Sequence, residues 1–147
     1  MFTSVSMRSA NPFRPASGNA YQQVAAETAV FSADPHQLVH LLFEALKHSL
    51  VKAKGAMLKG DIVVKGQAIG RSVRILEEGL KAGLDADRGG ELALNLRTVY
   101  DICILKLTEA NLHNRVELLD EVSGLIEPIA DGWTQIKADI AVTSFQA

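Results

Sequence analysis

Apolar residues recur at steps of three, four or seven along four successive stretches of this 147-residue chain. On a helix of about 3.6 residues per turn, such steps place the side chains on one face. No stretch alternates apolar and polar residues between hairpin turns, which would indicate a strand. The pattern therefore predicts an all-α fold. Because the connections are short, the simplest arrangement of the four helices is an antiparallel four-helix bundle.

Capping residues and glycines indicate where the helices begin and end. Asp34 suits the N-cap and Pro35 the first position of the first helix, which we expect to end at Gly60. Asp61 suits the N-cap of the second helix. The third helix is expected from about Gly90 to Leu112, and a fourth should follow the next turn.

Each later helix carries an apolar stripe that we expect to face the core. On the second helix the stripe is Ile62, Ile69, Val73, Leu76, Leu80 and Leu84. On the third it is Leu92, Leu96, Val99, Tyr100, Cys103, Leu107 and Ala110. On the fourth it is Leu118, Val122, Leu125, Ile129, Trp133, Ile136 and Ile140. Pro128 lies inside the fourth helix and should kink it.

The segment before Asp34 differs in composition from the rest of the chain. It contains no acidic residue before Glu27, and the prolines Pro12 and Pro15 would spoil the amphipathic helix of a transit peptide. We therefore divide the chain into a flexible N-terminal arm (1–33), a four-helix bundle domain (34–141) and a C-terminal tail (142–147).

Composition excludes several classes of protein. The net charge is −2 with acids and bases interspersed, so no basic stripe is available for nucleic acid. No uninterrupted apolar run approaches the about 20 residues that a membrane-spanning helix needs, so we expect no membrane insertion. The chain has one cysteine, Cys103, which permits no disulfide framework and favours a reducing compartment.

The motifs that could carry chemistry are incomplete. Asp85, Asp87 and Gly90 resemble the start of a calcium loop, but Leu96 stands where a bidentate glutamate is required. We interpret this segment as a turn, and we predict no metal site, no cofactor and no catalytic residue. One alternative stays open: a histidine phosphotransfer module using His48, although the lysine and glycine after it lie farther along than such modules place them.

The third helix has more apolar residues than a bundle core requires. With Leu96 at the centre of the core face, the side chains of Leu94, Ile102 and Leu105 fall on the opposite side. On the second helix, the residues behind the Val73 stripe include Val64, Ala68 and Ile75. If these helices are neighbours, the two sets line an outward-facing groove of the kind that binds a partner. Two alternatives stay open: scattered surface side chains, or a contact between the two copies of a homodimer.

Several motifs are similar to those of a known family. These are "DPHQLVHLLFEAL", "LDADRGGELALNLRTVYD" and "LTEANLHNRVELLDEV" followed by Trp133, together with "AYQQV", which contains Tyr21. They resemble the FliS family of flagellar export chaperones: the opening of its first helix, its Gly-Gly-Glu, Tyr-Asp and Glu-Ala-Asn signatures, and its N-terminal tyrosine motif. The similarity extends from about Ala20 to Ile136.

This resemblance implies a cytoplasmic chaperone that is not an enzyme and needs no ATP. Such a protein binds the disordered C-terminal region of flagellin, prevents premature polymerisation and delivers flagellin to the flagellar type III export apparatus. The resemblance adds Tyr21 to the expected partner contacts. It also implies contacts with the export gate and other flagellar regulators, and it leaves the protein as a monomer or a weak homodimer.

Overall fold

The computed structural model describes the backbone of residues 34–146 and the side chains of residues 34–136. It contains four helices: α1 (Pro35–Lys59), α2 (Ile62–Arg74), α3 (Ala86–His113) and α4 (Val116–Gln146). α2 continues without interruption into a π-helical turn, Ile75–Lys81. These described residues include no strand, which confirms the all-α four-helix bundle.

The predicted arm and tail lie at the two ends of the chain. The arm (1–33), including Tyr21, lies outside the described residues. The helical backbone of α4 continues through Pro128 and runs to Gln146, within the segment 142–147 that was assigned to a tail.

The first two helices begin and end close to the predicted positions. The Asp34 carboxylate accepts a hydrogen bond from the backbone N–H of Gln37 at 2.7 Å, and Asp61 accepts one from Val64 at 3.1 Å. These N-caps satisfy donors that have no partner within their own helix. Gly60 ends α1 with φ at 78°, a left-handed conformation that glycine adopts without steric cost.

α3 consists of a short first turn and a long helix joined by a kink at Gly90, and the long helix begins close to the predicted position. The Asp85 carboxylate accepts hydrogen bonds from the N–H groups of Asp87 at 3.0 Å and Arg88 at 3.2 Å, so α3 begins at Ala86. Gly90 then has φ 55° and ψ −132°, a conformation essentially restricted to glycine. The aspartates and glycines therefore form a turn and a cap, as interpreted from the sequence.

Side chains from all four helices form one core. The predicted members that are buried are Ile69, Leu76, Leu80, Tyr100, Cys103, Leu107, Ala110, Leu118 and Val122. Three predicted members, Ile62, Leu92 and Ile136, are instead exposed. Ile62 and Leu92 lie at the starts of their helices, and Ile136 lies one turn beyond the contact of α4 with the start of α1. A side chain on the core-facing side of its helix is buried only where another helix packs against it.

The buried face of α2 is rotated from the predicted one. Ala68 and Ile75 are only 4% and 2% exposed, whereas Val73 is half-buried. The prediction centred the buried face on Val73 and placed Ala68 and Ile75 on the outside, which is wrong. Ala68 was passed over because it is small, whereas Ile75 is as large as the residues of the predicted stripe and only packing shows that it faces the core.

Small residues bring α2 and its continuation close to α1. A Cβ atom added to Gly79 would lie 3.1 Å from a methyl carbon of Leu42, so no larger residue fits there without a shift. Ser72 is fully buried, and its hydroxyl donates to the Ala68 carbonyl oxygen at 3.0 Å. Because that hydroxyl has its acceptor within α2, burying it is not costly.

A pair of aromatic rings joins the start of α1 to α4. The rings of His36 and Trp133 stack with centroids 4.2 Å apart and planes 8° from parallel. The Trp133 indole N–H donates to the His36 carbonyl oxygen at 3.0 Å, and His36 Nε2 lies 3.0 Å from the Trp133 carbonyl oxygen. Because a carbonyl oxygen can only accept, Nε2 carries the hydrogen in this contact.

A buried lysine holds the opposite end of the bundle. The Lys65 ammonium donates to the Asn111 carbonyl oxygen at 3.0 Å and to the Asn114 side-chain oxygen at 3.2 Å. Asn114 ends α3 in a left-handed conformation with φ at 56°. A positive charge at this position interacts favourably with the carbonyl end of the α3 dipole.

Replacing Lys65 by methionine should lower the free energy of unfolding by about 1–3 kcal/mol, because the Asn111 carbonyl loses a charged donor while the apolar stem stays packed. Urea unfolding measures the change. The matched control is Lys52→Met at an exposed position of α1, which should change stability by less than about 0.5 kcal/mol. Equal effects of the two substitutions would contradict a capping role for Lys65.

Cys103, the only thiol of the chain, should resist iodoacetamide in the folded protein. Burial raises its pKa to about 11, so at about pH 8 the side chain is the neutral thiol, whereas the thiolate is the reacting form. Mass spectrometry should find labelling only after denaturation. A Thr108→Cys variant carrying Cys103→Ala places the thiol at an exposed position and should react without denaturant. Rapid labelling of native Cys103 would show that this core opens locally.

Candidate functional site

An apolar pocket of about 310 Å³ opens at the end of the bundle where α1 and α3 begin. Its lining includes Val39 and Phe43 of α1, Leu80 and Leu84 in and after the π-helical turn, Leu92 and Leu96 of α3, and Ile129 and Trp133 of α4. An apolar cavity of about 150 Å³ is enough to hold benzene. This pocket is therefore large enough for two apolar side chains.

The few polar groups around the pocket already have partners or stay neutral. The Asp85 carboxylate is used as the α3 cap, and the Trp133 indole N–H is bonded to His36. Burial raises the pKa of Tyr100, so its phenol remains uncharged. The lining presents no paired acid and base and no activated nucleophile. Its chemistry suits the binding of apolar side chains.

A second apolar surface lies on the outward side of α3, and we call it the α3 stripe. It consists of the exposed side chains Leu94, Ile102, Leu105 and Leu112. At about 100° per residue, Leu94, Leu105 and Leu112 lie within about 20° of one another around the helix axis, and Ile102 lies about 60° from Leu105. The stripe therefore follows most of the length of α3.

Threonines beside the α3 stripe add little polarity to it. The Thr98 hydroxyl donates to the Leu94 carbonyl oxygen at 3.1 Å, and the Thr108 hydroxyl donates to the Ile104 carbonyl oxygen at 2.9 Å. With these donors satisfied inside the helix, a partner could cover the threonines without leaving the hydroxyls unpaired.

Charged residues border the α3 stripe and also interrupt it. Lys81 contacts Asp101 at 2.7 Å and Lys106 contacts Glu121 at 2.7 Å. Asp101 lies within about 20° of Leu94 around the helix axis, and the exposed Glu109 lies between Leu105 and Ile102. The hydrogen bond to Asp101 raises the pKa of Lys81, so this lysine remains charged at neutral pH. A partner that covers the stripe must therefore leave Glu109 in water or pair it with a basic side chain.

The structure places the predicted contact residues in three different environments. Leu94, Ile102 and Leu105 are exposed together on α3, whereas Val64 is half-buried on α2. Ala68 and Ile75 belong to the core, so the predicted groove between α2 and α3 does not include them. Tyr21 lies outside the described residues.

Sequence reasoning missed the apolar pocket. Leu92 and Leu84 were assigned to core stripes, although here they line an opening at the end of the bundle. Steps of four are ordinary on one face of an α-helix, so the spacing of Leu76, Leu80 and Leu84 carried no signal of the pocket. The irregular turn at Ile75–Lys81 is visible only in the structure.

Metal clusters and membrane-spanning helices are both absent from the part of the chain that the structure describes. No group of three or more histidine, cysteine, aspartate or glutamate residues is placed there to hold a metal ion. No helix within these residues is long and apolar enough to cross a membrane.

Comparison with known proteins gives consistent matches. Residues 17–140 match the family model described as "Flagellar protein FliS". The chain is 48% identical over 117 residues to the flagellar secretion chaperone FliS of Salmonella typhimurium, covering 80% of this chain and 87% of that protein. It is 45% identical over 116 residues to FliSB of Pseudomonas aeruginosa, covering 79% of this chain and 91% of that protein. With FliS of Bacillus subtilis the identity is 27% over 116 residues, covering 79% of this chain and 82% of that protein.

These matches settle the choice between the two classes of protein considered from the sequence. The matching proteins are secretion chaperones and not enzymes, and the phosphotransfer alternative through His48 is not supported. The chain belongs to the FliS family of flagellar secretion chaperones.

Proposed function

We propose that this protein binds the disordered C-terminal region of flagellin in the cytoplasm, prevents its premature polymerisation and delivers it to the flagellar type III export apparatus. The observation that carries the proposal is the α3 stripe, a row of large apolar side chains that the bundle leaves uncovered. The names of its relatives, which are flagellar secretion chaperones, support the same function.

The α3 stripe suits a segment that becomes ordered when it binds. Ordering a flexible chain costs conformational entropy, and burial of apolar surface is the main contribution that offsets this cost. A helix with apolar residues at i, i+3, i+4 and i+7 could lie along the stripe. The apolar residues of that flagellin helix would then be shielded from other flagellin subunits. Binding of this kind would not need nucleotide hydrolysis.

The apolar pocket provides a second anchoring point for the same client. Leu92 and Leu96 line the pocket, and Leu94 begins the α3 stripe two residues away from each. A single flagellin segment that passes around the start of α3 could therefore use both surfaces. Val64 and Tyr21 remain proposed contacts of this segment.

Leu105→Asp should weaken binding of a flagellin C-terminal segment by at least on the order of tenfold, because client binding would bury an unpaired carboxylate. Leu105 is 63% exposed, so the substitution should change the free energy of unfolding by less than about 0.5 kcal/mol. Titration calorimetry and urea unfolding measure the two quantities.

Val51→Asp is the matched control for this substitution. Val51 is 74% exposed on α1, away from the α3 stripe, so the same charge there should leave flagellin binding unchanged. Normal binding by Leu105→Asp, or its unfolding, would rule out the assignment of the α3 stripe as the client surface.

Trp133 is the only tryptophan of the chain, and it lines the apolar pocket, so its fluorescence reports on that site. A tryptophan-free flagellin C-terminal segment should shift its emission to shorter wavelength and reduce its quenching by acrylamide, because an occupied pocket excludes water. An unchanged signal at saturation would show that the segment binds without entering the pocket.

A further inference from the structure

The π-helical turn Ile75–Lys81 is an unusual element in this fold. It spans seven residues between Arg74, the last residue of α2, and Ala82. π-helical segments are rare, generally short, and often found at functional sites. Here the turn and the residues after it form one wall of the apolar pocket, through Gly79, Leu80 and Leu84.

The turn carries one side chain of the pocket and leads directly to another. Leu80 lies within the π-helical turn, whereas Leu84 follows it, and the N–H of Leu84 donates to the Lys81 carbonyl oxygen at 3.1 Å. The i to i+5 bonding of a π-helix widens the backbone around Leu80 and sets where the chain leaves the helix toward Leu84. Leu76 and Leu80 are both buried, and Leu80 and Leu84 both line the pocket.

Contacts on two sides hold the turn in place. On the inner side, Gly79 packs so closely on Leu42 that an added Cβ would lie 3.1 Å from its methyl carbon. On the outer side, Lys81 contacts Asp101 of α3 at 2.7 Å, which joins the end of the turn to α3. The contact of Lys81 with Glu77 at 3.3 Å is an exposed pair within the turn, and such pairs contribute little to stability. Glu77 itself is exposed and does not line the pocket.

We propose that the π-helical turn sets the size of the apolar pocket and thereby selects the client side chains that enter it. This inference rests on the proposed function. Removing one residue from the exposed side of the turn allows an α-helix to form. The chain rises about 1.5 Å per helical residue, so Leu80 and Leu84 move by about this distance relative to Leu92 and Trp133. The altered pocket no longer matches the parent client.

The test compares a variant lacking Glu77 with Glu77→Ala, which removes the same side chain but keeps the residue count. Binding of a tryptophan-free flagellin C-terminal segment is measured by titration calorimetry. Glu77→Ala should bind as the parent protein does. The deletion should weaken binding on the order of tenfold, the loss expected when one apolar anchor no longer packs. Insertion of an alanine after Glu78 in the deletion variant should restore affinity.

A second variant tests selection directly without changing the backbone. Leu84→Ala enlarges the pocket from the same wall, so it should shift the preference from a flagellin segment with a leucine anchor toward one with phenylalanine at that position. The preference is the ratio of the two dissociation constants, compared with that of the parent protein. An unchanged ratio would overturn the proposal.

The outcomes separate this inference from the proposed function. If the parent protein does not bind the flagellin segment, the proposed function fails. In that case, acrylamide quenching of Trp133 is compared between the deletion variant and Glu77→Ala, both without flagellin. A difference in quenching shows that the turn controls the pocket. If the deletion variant binds as the parent does, the turn does not set the pocket. If the deletion variant does not fold, the turn serves the core and the inference is again overturned.

Discussion

The close packing of α2 and its π-helical turn against α1 is the contact on which the other features depend. Ala68, Ser72 and Gly79 present little or no side chain toward the interior, and Gly79 leaves no space between its backbone and Leu42. Close packing of this kind maximises dispersion contacts, and it uses the apolar faces of both helices. α2 consequently has few large apolar side chains left for a partner.

The outward side of α3 is left uncovered. Its core-facing residues Tyr100, Cys103 and Leu107 are buried like those of the other helices, yet the opposite side carries the α3 stripe. A helical bundle gains nothing in stability from large apolar residues that remain in water. Large apolar residues aligned along one side of a helix are typical of a surface that a partner covers.

The polar groups of the bundle mainly close its ends. Lys65 caps α3 at one end, while the reciprocal contact of His36 with Trp133 joins α1 to α4 at the other. The second contact also positions the indole ring as a wall of the apolar pocket. Because these groups are engaged in structural hydrogen bonds, the two surfaces that remain, the apolar pocket and the α3 stripe, are mainly apolar, which is consistent with a family of chaperones and not of enzymes.

The sequence by itself determined the helices, most of their ends and most of the core, because capping and periodicity depend on residues close together in the chain. The family was also recognisable from motifs such as the one containing Gly89 and Gly90. Helical periodicity correctly placed Leu94, Ile102 and Leu105 outside the core. What it could not decide was which side of α2 faces the core, since Ala68 and Ile75 are buried while Val73 is only half-buried. The apolar pocket likewise depends on where four helices stop relative to one another and on the wider turn at Ile75–Lys81. Only tertiary packing fixes these features, because they depend on distances between residues far apart in the sequence.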